Sequence, residues 1–198
     1  MRFITLIIAL VALGSNVVSA DAPTIVSRKD WGAQAPNEVL MHAQIPRGIV
    51  VHHSGEEQNA KYSLEEKLRF LQEFSMAPGV ITETKQSKPA WGDVPYHFYI
   101  DATGRTGEGR EIKFSGDTNT DYDTDGHIQI VVEGNFDKEQ LKEEQITAFD
   151  SLVRWLAEAY HIAPGNITTH NDHVDTDCPG VYLKSHIDEL RKEMNNMQ

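Results

Sequence analysis

The apolar positions of this chain fall into short β-branched runs that alternate with segments carrying one apolar stripe at helical spacing. Ile49, Val50 and Val51 are contiguous, so Arg47 to His53 reads as a buried strand. Tyr96 to Ile100 and Ile128 to Val132 read as two more strands, and Ile167 to Thr169 as a short one. Between them, Ser63 to Phe74 places Leu64, Leu68, Leu71 and Phe74 on one helical face, and Ser63 with Glu66 forms a capping-box signature. Asp137 to His161 is the clearest helix, because Ile146, Phe149, Leu152, Val153, Leu156 and Tyr160 define a single stripe that reads as core. Pro164-Gly165 breaks it, and a last helix is expected from about Tyr182 to Met194.

Three stretches lack either period. Residues 21–30 read as an extended lead-in and residues 115–126 as a polar loop. Residues 75–93 carry two prolines and two glycines and are expected to form a long surface loop, either a tolerated insertion or a border of the site. No repeat or linker interrupts the rest. The expected fold class is α/β, a central mixed β-sheet flanked by helices, in one domain over residues 21–198.

Composition narrows what such a domain could do. Residues 1–20 join Arg2, the apolar run FITLIIALVAL and the small residues Val18-Ser19-Ala20, which is the pattern of a signal peptide, so a periplasmic or secreted protein is expected. No later segment is apolar enough to span a membrane. The formal charge of −12 argues against a nucleic-acid partner, whose binding is driven by Lys and Arg. The chain has one cysteine, Cys178, so no intrachain disulfide can form and stability must come from an ordinary core. A lone thiol is a liability in an oxidising compartment unless it is held as a metal ligand.

The surroundings of Cys178 favour that role. It lies eight residues after His170 in THNDHVDTDCPG, while His52 and His53 end the apolar run GIVVHHSG. Two imidazoles and a thiolate make a three-ligand zinc set with a fourth position left for water, the pattern of a hydrolytic site. Adjacent strand residues point to opposite faces, so His52 and His53 should not both bind one ion while the strand continues. By spacing, His170 has only a modest edge over His173. His42, His127, His161 and His186 read as ordinary polar residues.

The segments VVHHSG, WGDVPYHFYID, GEGREI, VVEGNFD and THNDHVDTDCPG, in this order, resemble the type-2 N-acetylmuramoyl-L-alanine amidases, a family that includes the peptidoglycan recognition proteins and phage T7 lysozyme. The lead-in IVSRKDWGA is similar to the start of a recognition domain, and the likeness runs from about Ile25 to Leu190. It implies an amidase fold that binds peptidoglycan or muropeptides. It also implies Zn2+ held by His52, His170 and Cys178, with Tyr96 beside the ion and Thr176 completing the catalytic pair. His53 is carried over as a candidate substrate contact. The resemblance places Val131 where other members have a glutamate base. The family's usual Ser-Ile-Gly-Ile is here His127-Ile128-Gln129-Ile130, and Ser115-Gly116-Asp117 stands where a Gly-Ala-His-like segment is common. The cysteine pair typical of animal recognition proteins is absent, which points toward a bacterial exported enzyme.

The expected activity is therefore zinc-dependent cleavage of the bond between N-acetylmuramic acid and L-alanine. The alternatives are a non-catalytic muropeptide-binding protein of the same fold and, less favoured, a cysteine hydrolase using Cys178 as nucleophile. Oligomeric state is not legible.

Overall fold

The strand that ends in His52 and His53 lies inside a sheet, with a parallel neighbour on each side. The computed structural model describes residues 22–80 and 85–197; the expected signal segment lies outside them. The elements are β1 (Ile25–Val26), β2 (Gly48–His53), α1 (Leu64–Met76), β3 (Gly79–Val80), β4 (Ser87–Lys88), β5 (Phe98–Ile100), β6 (Thr106–Glu108), β7 (His127–Val132), α2 (Glu143–Ala159), β8 (Ile167–Thr169) and α3 (Val181–Asn196). Six strands make one sheet in the order β1-β6-β5-β7-β2-β8. Only the β5–β6 pair is antiparallel, so the sheet is mixed, as expected. Among the described residues no helix is long and apolar enough to cross a membrane.

The two faces of this sheet differ. Ile49, Val51, Ile128, Ile130, Ile167, Phe98 and Ile100 point one way and pack against Phe149, Leu152, Val153 and Leu156 of α2 and Leu183, Ile187 and Leu190 of α3. On the other face α1 alone covers part of the sheet, with Leu64 and Leu68 against Tyr99, Val131 and Trp31. The Ser63–Glu66 capping box is present: Glu66 N–H donates to Ser63 Oγ at 3.3 Å and Ser63 N–H to the Glu66 carboxylate at 2.8 Å. One helix cannot cover six strands. The carboxyl end of β2 and its neighbours is left open on that side, which is where a crevice is expected in a largely parallel sheet.

Several boundaries move. β5 starts at Phe98 rather than Tyr96, and α2 at Glu143 rather than Asp137, since no apolar stripe exists before Ile146 to draw the earlier residues onto the sheet. β1 and β6 were not expected, being two and three residues long with little apolar signal of their own.

The expected loop 75–93 is instead partly ordered: α1 runs to Met76 and β3 pairs antiparallel with β4. The reason is Lys88. Its side chain is buried, and its ammonium donates to the carbonyls of Ser75, Ala77 and Pro89 at 2.8, 2.6 and 2.9 Å. The Phe74 and Trp91 rings lie 5.1 and 4.6 Å from it. A cation set on orphan carbonyls at a helix end is stabilising, but in the sequence it reads as one more solvated lysine.

One buried histidine, His97, is purely architectural. Its Nδ1 accepts from Gln129 N–H at 2.7 Å and its Nε2–H donates to Phe114 O at 2.8 Å, so the ring is neutral. Burial holds its pKa at about 4, against the opposing pull of the Phe114 carbonyl. The folded value lies below the ordinary 6.5, so between about 4 and 6.5 the unfolded chain binds more protons. This contribution to stability is full above pH 6.5 and is lost as pH falls. Urea unfolding at pH 7.5 and pH 5 should show lower stability at pH 5, with a shallower dependence in His97→Asn. An unchanged slope would mean the ring is not buried in its neutral form.

Candidate metal centre

Two neighbouring parallel strands deliver the two histidines. β2 pairs with β8 through Ile49 with Ile167, Val50 with Thr168 and Val51 with Thr169, so His52 and His170 follow on adjacent strands. His170 sits in a short 3-10 turn braced by Asp172, whose carboxylate accepts from Thr169 N–H at 2.9 Å and Thr169 Oγ1 at 2.7 Å. Lys184 of α3 holds the other oxygen of Asp172 at 2.9 Å. Cys178 arrives on the loop that follows. Its N–H donates to Thr176 Oγ1 at 3.3 Å and its carbonyl accepts from Asn171 N–H at 3.0 Å. Its sulfur accepts from His53 N–H at 3.4 Å and lies 3.7 Å from His52 Nδ1.

One donor atom each from His52, His170 and Cys178 lies within 4.8 Å of the other two. Zn–N near 2.0 Å and Zn–S near 2.3 Å at tetrahedral angles require N···S separations of roughly 3.5 Å; the His52–Cys178 contact is close to this. The protonation chemistry also suits a cation. Burial first, and His170 second, lower the pKa of His52 to about 3; burial and then His173 lower that of His170 to about 4. Both rings are neutral at pH 7 and can act as ligands. The donor set therefore fits zinc, by chemistry and by spacing.

In both rings the second nitrogen is already engaged. His52 Nε2 is 2.6 Å from Gln129 Oε1, and His170 Nε2 is 2.7 Å from Thr120 Oγ1. Gln129 also accepts from the Tyr122 hydroxyl at 3.0 Å, and the Tyr122 ring stacks on His173 at 5.3 Å. These three residues were not among the expected site residues. Gln129 had a visible signal, a lone amide inside the apolar strand HIQIVV; Thr120 and Tyr122 had none, since nothing local marks which polar loop residues fold back.

The remaining expected residues take distinct places. β2 continues through His53, so His53 points away from the three donors; its Nδ1 accepts from Phe136 N–H at 3.3 Å and its side chain reaches the edge of the cleft. His173 is not in the donor group; its Nε2 is 2.8 Å from Thr168 Oγ1 and its ring packs against Tyr122 and His127. The Tyr96 ring lies 5.2 Å from that of His52, and burial raises its phenol so that it stays a proton donor. Thr176 faces the same cleft, and Val131, paired with His52 across β2–β7, puts no carboxylate there.

The cleft has a volume of about 740 Å3 and runs from this group toward α1. Tyr62, Phe70 and Trp91 line its far part, so the root of the 75–93 segment does border it. Between the two ends lies a buried ion pair, Lys67 Nζ to Glu133 at 2.7 Å.

The sequence profile of the N-acetylmuramoyl-L-alanine amidase family matches residues 42–181. Peptidoglycan-recognition protein SD of Drosophila simulans is 28% identical over 181 residues, covering 88% of this chain and 89% of its own length. A Drosophila PGRP-LB mutant solved in complex with tracheal cytotoxin has a TM-score of 0.66 at 26% identity, over 83% of this chain and 92% of its own. The N-acetylmuramoyl-L-alanine amidase LysC from Clostridium intestinale has a TM-score of 0.61 at 24% identity, over 87% of this chain and 98% of its own, a likeness of fold.

Zinc at about a thousandfold excess over its Kd should add about 4 kcal/mol to unfolding free energy. Cys178→Ala and His170→Ala should lose this increment in denaturant titrations with and without chelator, whereas His173→Ala should keep most of it. Loss in His173→Ala alone would reassign the second histidine.

Proposed function

The chain belongs to the N-acetylmuramoyl-L-alanine amidase family, and on that footing we propose that it is a zinc-dependent enzyme cleaving the amide between N-acetylmuramic acid and L-alanine in peptidoglycan. The observation that carries the proposal is the convergence of His52, His170 and Cys178 at one end of a cleft large enough for a glycopeptide. The complex of PGRP-LB with tracheal cytotoxin supports a muropeptide as the occupant. The apolar segment 1–20 supports action outside the cytoplasm.

A zinc ion at these ligands would supply a Lewis acid and lower the pKa of water bound to it. The chain's own residues do the rest. Cleft walls exclude bulk water and hold the scissile carbonyl against the donor group. Tyr96, protonated at all working pH values, donates a hydrogen bond to the oxygen on which negative charge develops. Thr176, whose oxygen already accepts from Cys178 N–H, can turn its hydroxyl proton toward the same centre. No carboxylate stands at Val131 to take a proton, so neither residue replaces a strong general base.

That absence favours a second reading, in which the protein binds muropeptides without cutting them. A cysteine-hydrolase reading is disfavoured: burial pushes the Cys178 thiol up to about 12 without a cation, the opposite of an activated nucleophile.

Digestion of defined muropeptides, followed by mass spectrometry, separates these. The amidase reading expects release of free stem peptide, lost with chelator and restored by zinc. Tyr96→Phe should lower kcat about 100-fold while keeping zinc affinity. Tight muropeptide binding with no release would establish the recognition reading, and activity that survives chelator but not thiol alkylation would establish the cysteine one.

A further inference from the structure

A neutral imidazole carries one N–H and one lone pair, so whichever nitrogen donates to a neighbour decides which nitrogen can bind a metal. At this centre the neighbours are not a carboxylate or the backbone but two neutral side chains outside the expected site. Gln129 is buried on β7, on the same sheet face as His52, and its Oε1 takes two donors, His52 Nε2–H at 2.6 Å and Tyr122 O–H at 3.0 Å. Its Nε2 is buried with no partner among the described residues. The reverse amide orientation would point N–H at His52 Nε2 and drive the ring proton onto Nδ1, the atom that faces the Cys178 sulfur. In the orientation present, the Tyr122 hydroxyl supplies the second donor to the oxygen. Thr120 stands to His170 as Gln129 does to His52. Its Oγ1 lies 2.7 Å from His170 Nε2 and 2.7 Å from Thr118 Oγ1, so it can accept from the ring and pass its own proton on to Thr118.

We propose that Gln129 and Thr120 are positioning residues of the metal centre: by accepting the Nε2 protons of His52 and His170, they assign Nδ1 of each ring to the metal. The proposal rests on the zinc reading of the site. It gives the polar loop 115–126 a task, because Thr120 and Tyr122 both belong to it, and Tyr122 is anchored by stacking on His173. It also accounts for an amide in a strand position where the resemblance expects glycine. Both acceptors are uncharged. A carboxylate in either place would draw the ring toward imidazolate and raise its basicity; an amide or hydroxyl fixes the tautomer and leaves the cation more electrophilic.

The test is metal affinity rather than turnover, using the mature chain, zinc and a competing chromophoric chelator, with the visible spectrum of the Co2+ form as a second readout. Gln129→Met keeps the length and loses the acceptor; Thr120→Val keeps the shape and loses the hydroxyl. Each should bind zinc about 10- to 100-fold more weakly and change the Co2+ spectrum. Thr120→Ser, which restores a hydroxyl, should return to near wild-type affinity, and Gln129→Glu, whose carboxylate accepts more strongly, to wild-type affinity or above. Met and Val variants that are folded by circular dichroism and bind zinc like the wild type would overturn the proposal. If Gln129→Met does not fold, the Val and Ser pair at Thr120 decides the matter alone. Wild-type protein that binds no zinc would remove the zinc reading itself, an outcome distinct from equal binding by all five proteins.

Discussion

The register between β2 and its two parallel neighbours is the constraint from which the site follows. Val50 pairs with Gln129 and Thr168, and His52 pairs with Val131, so Gln129, Thr168 and His52 lie on one face at set heights. A slip of one residue would turn His52 toward α2 and send Ile49 and Val51 to the open side. Each of those aliphatic side chains contributes about 1.5–3 kcal/mol by burial. The hydrophobic layer under α2 and α3 thus holds the candidate metal donors in place, although it contains none of them.

The same asymmetry explains why the centre can exist at all. Two helices seal one face, whereas α1 covers only part of the other, and the open remainder becomes the cleft. Polar side chains are tolerable in its floor only when they are hydrogen-bonded. His52 and Gln129 meet that condition through one another, and His170 through Thr120. Gln129 Nε2, which has no partner among the described residues, lies beside His52 on the cleft side of the sheet and not in the main core. The far part of the cleft is built from the larger aromatic side chains of Tyr62, Phe70 and Trp91.

Local chemistry was a good guide wherever an element was long and periodic. The apolar run before His52, the Ser63–Glu66 cap and Phe149, Leu152, Val153 and Leu156 of the α2 stripe appear as read, because their signals lie within one turn or one strand; Tyr160, read as part of that stripe, instead caps the helix and is exposed. Elements defined by partners were missed. β6 is a strand because β5 and β1 lie beside it, and the described part of the 75–93 segment is tied down where Lys88 meets the carbonyls of Ser75, Ala77 and Pro89.

At the metal centre the division is similar. Residue type and spacing pointed to a thiolate and two imidazoles as a ligand set, because a lone cysteine eight residues after a histidine suits metal ligation. Strand alternation already required His52 and His53 to part. Spacing gave His170 only a modest edge over His173, and the resemblance implied His170; in the fold it is His170, and not His173, that groups with His52 and Cys178. Which nitrogen of each ring faces the cation was beyond any one-dimensional reading, because the acceptors that decide it, Gln129 and Thr120, are 77 and 50 residues away from the rings they orient. A sequence can state which atoms are able to bind a metal; the direction in which they point is a property of hydrogen bonds that only tertiary packing creates.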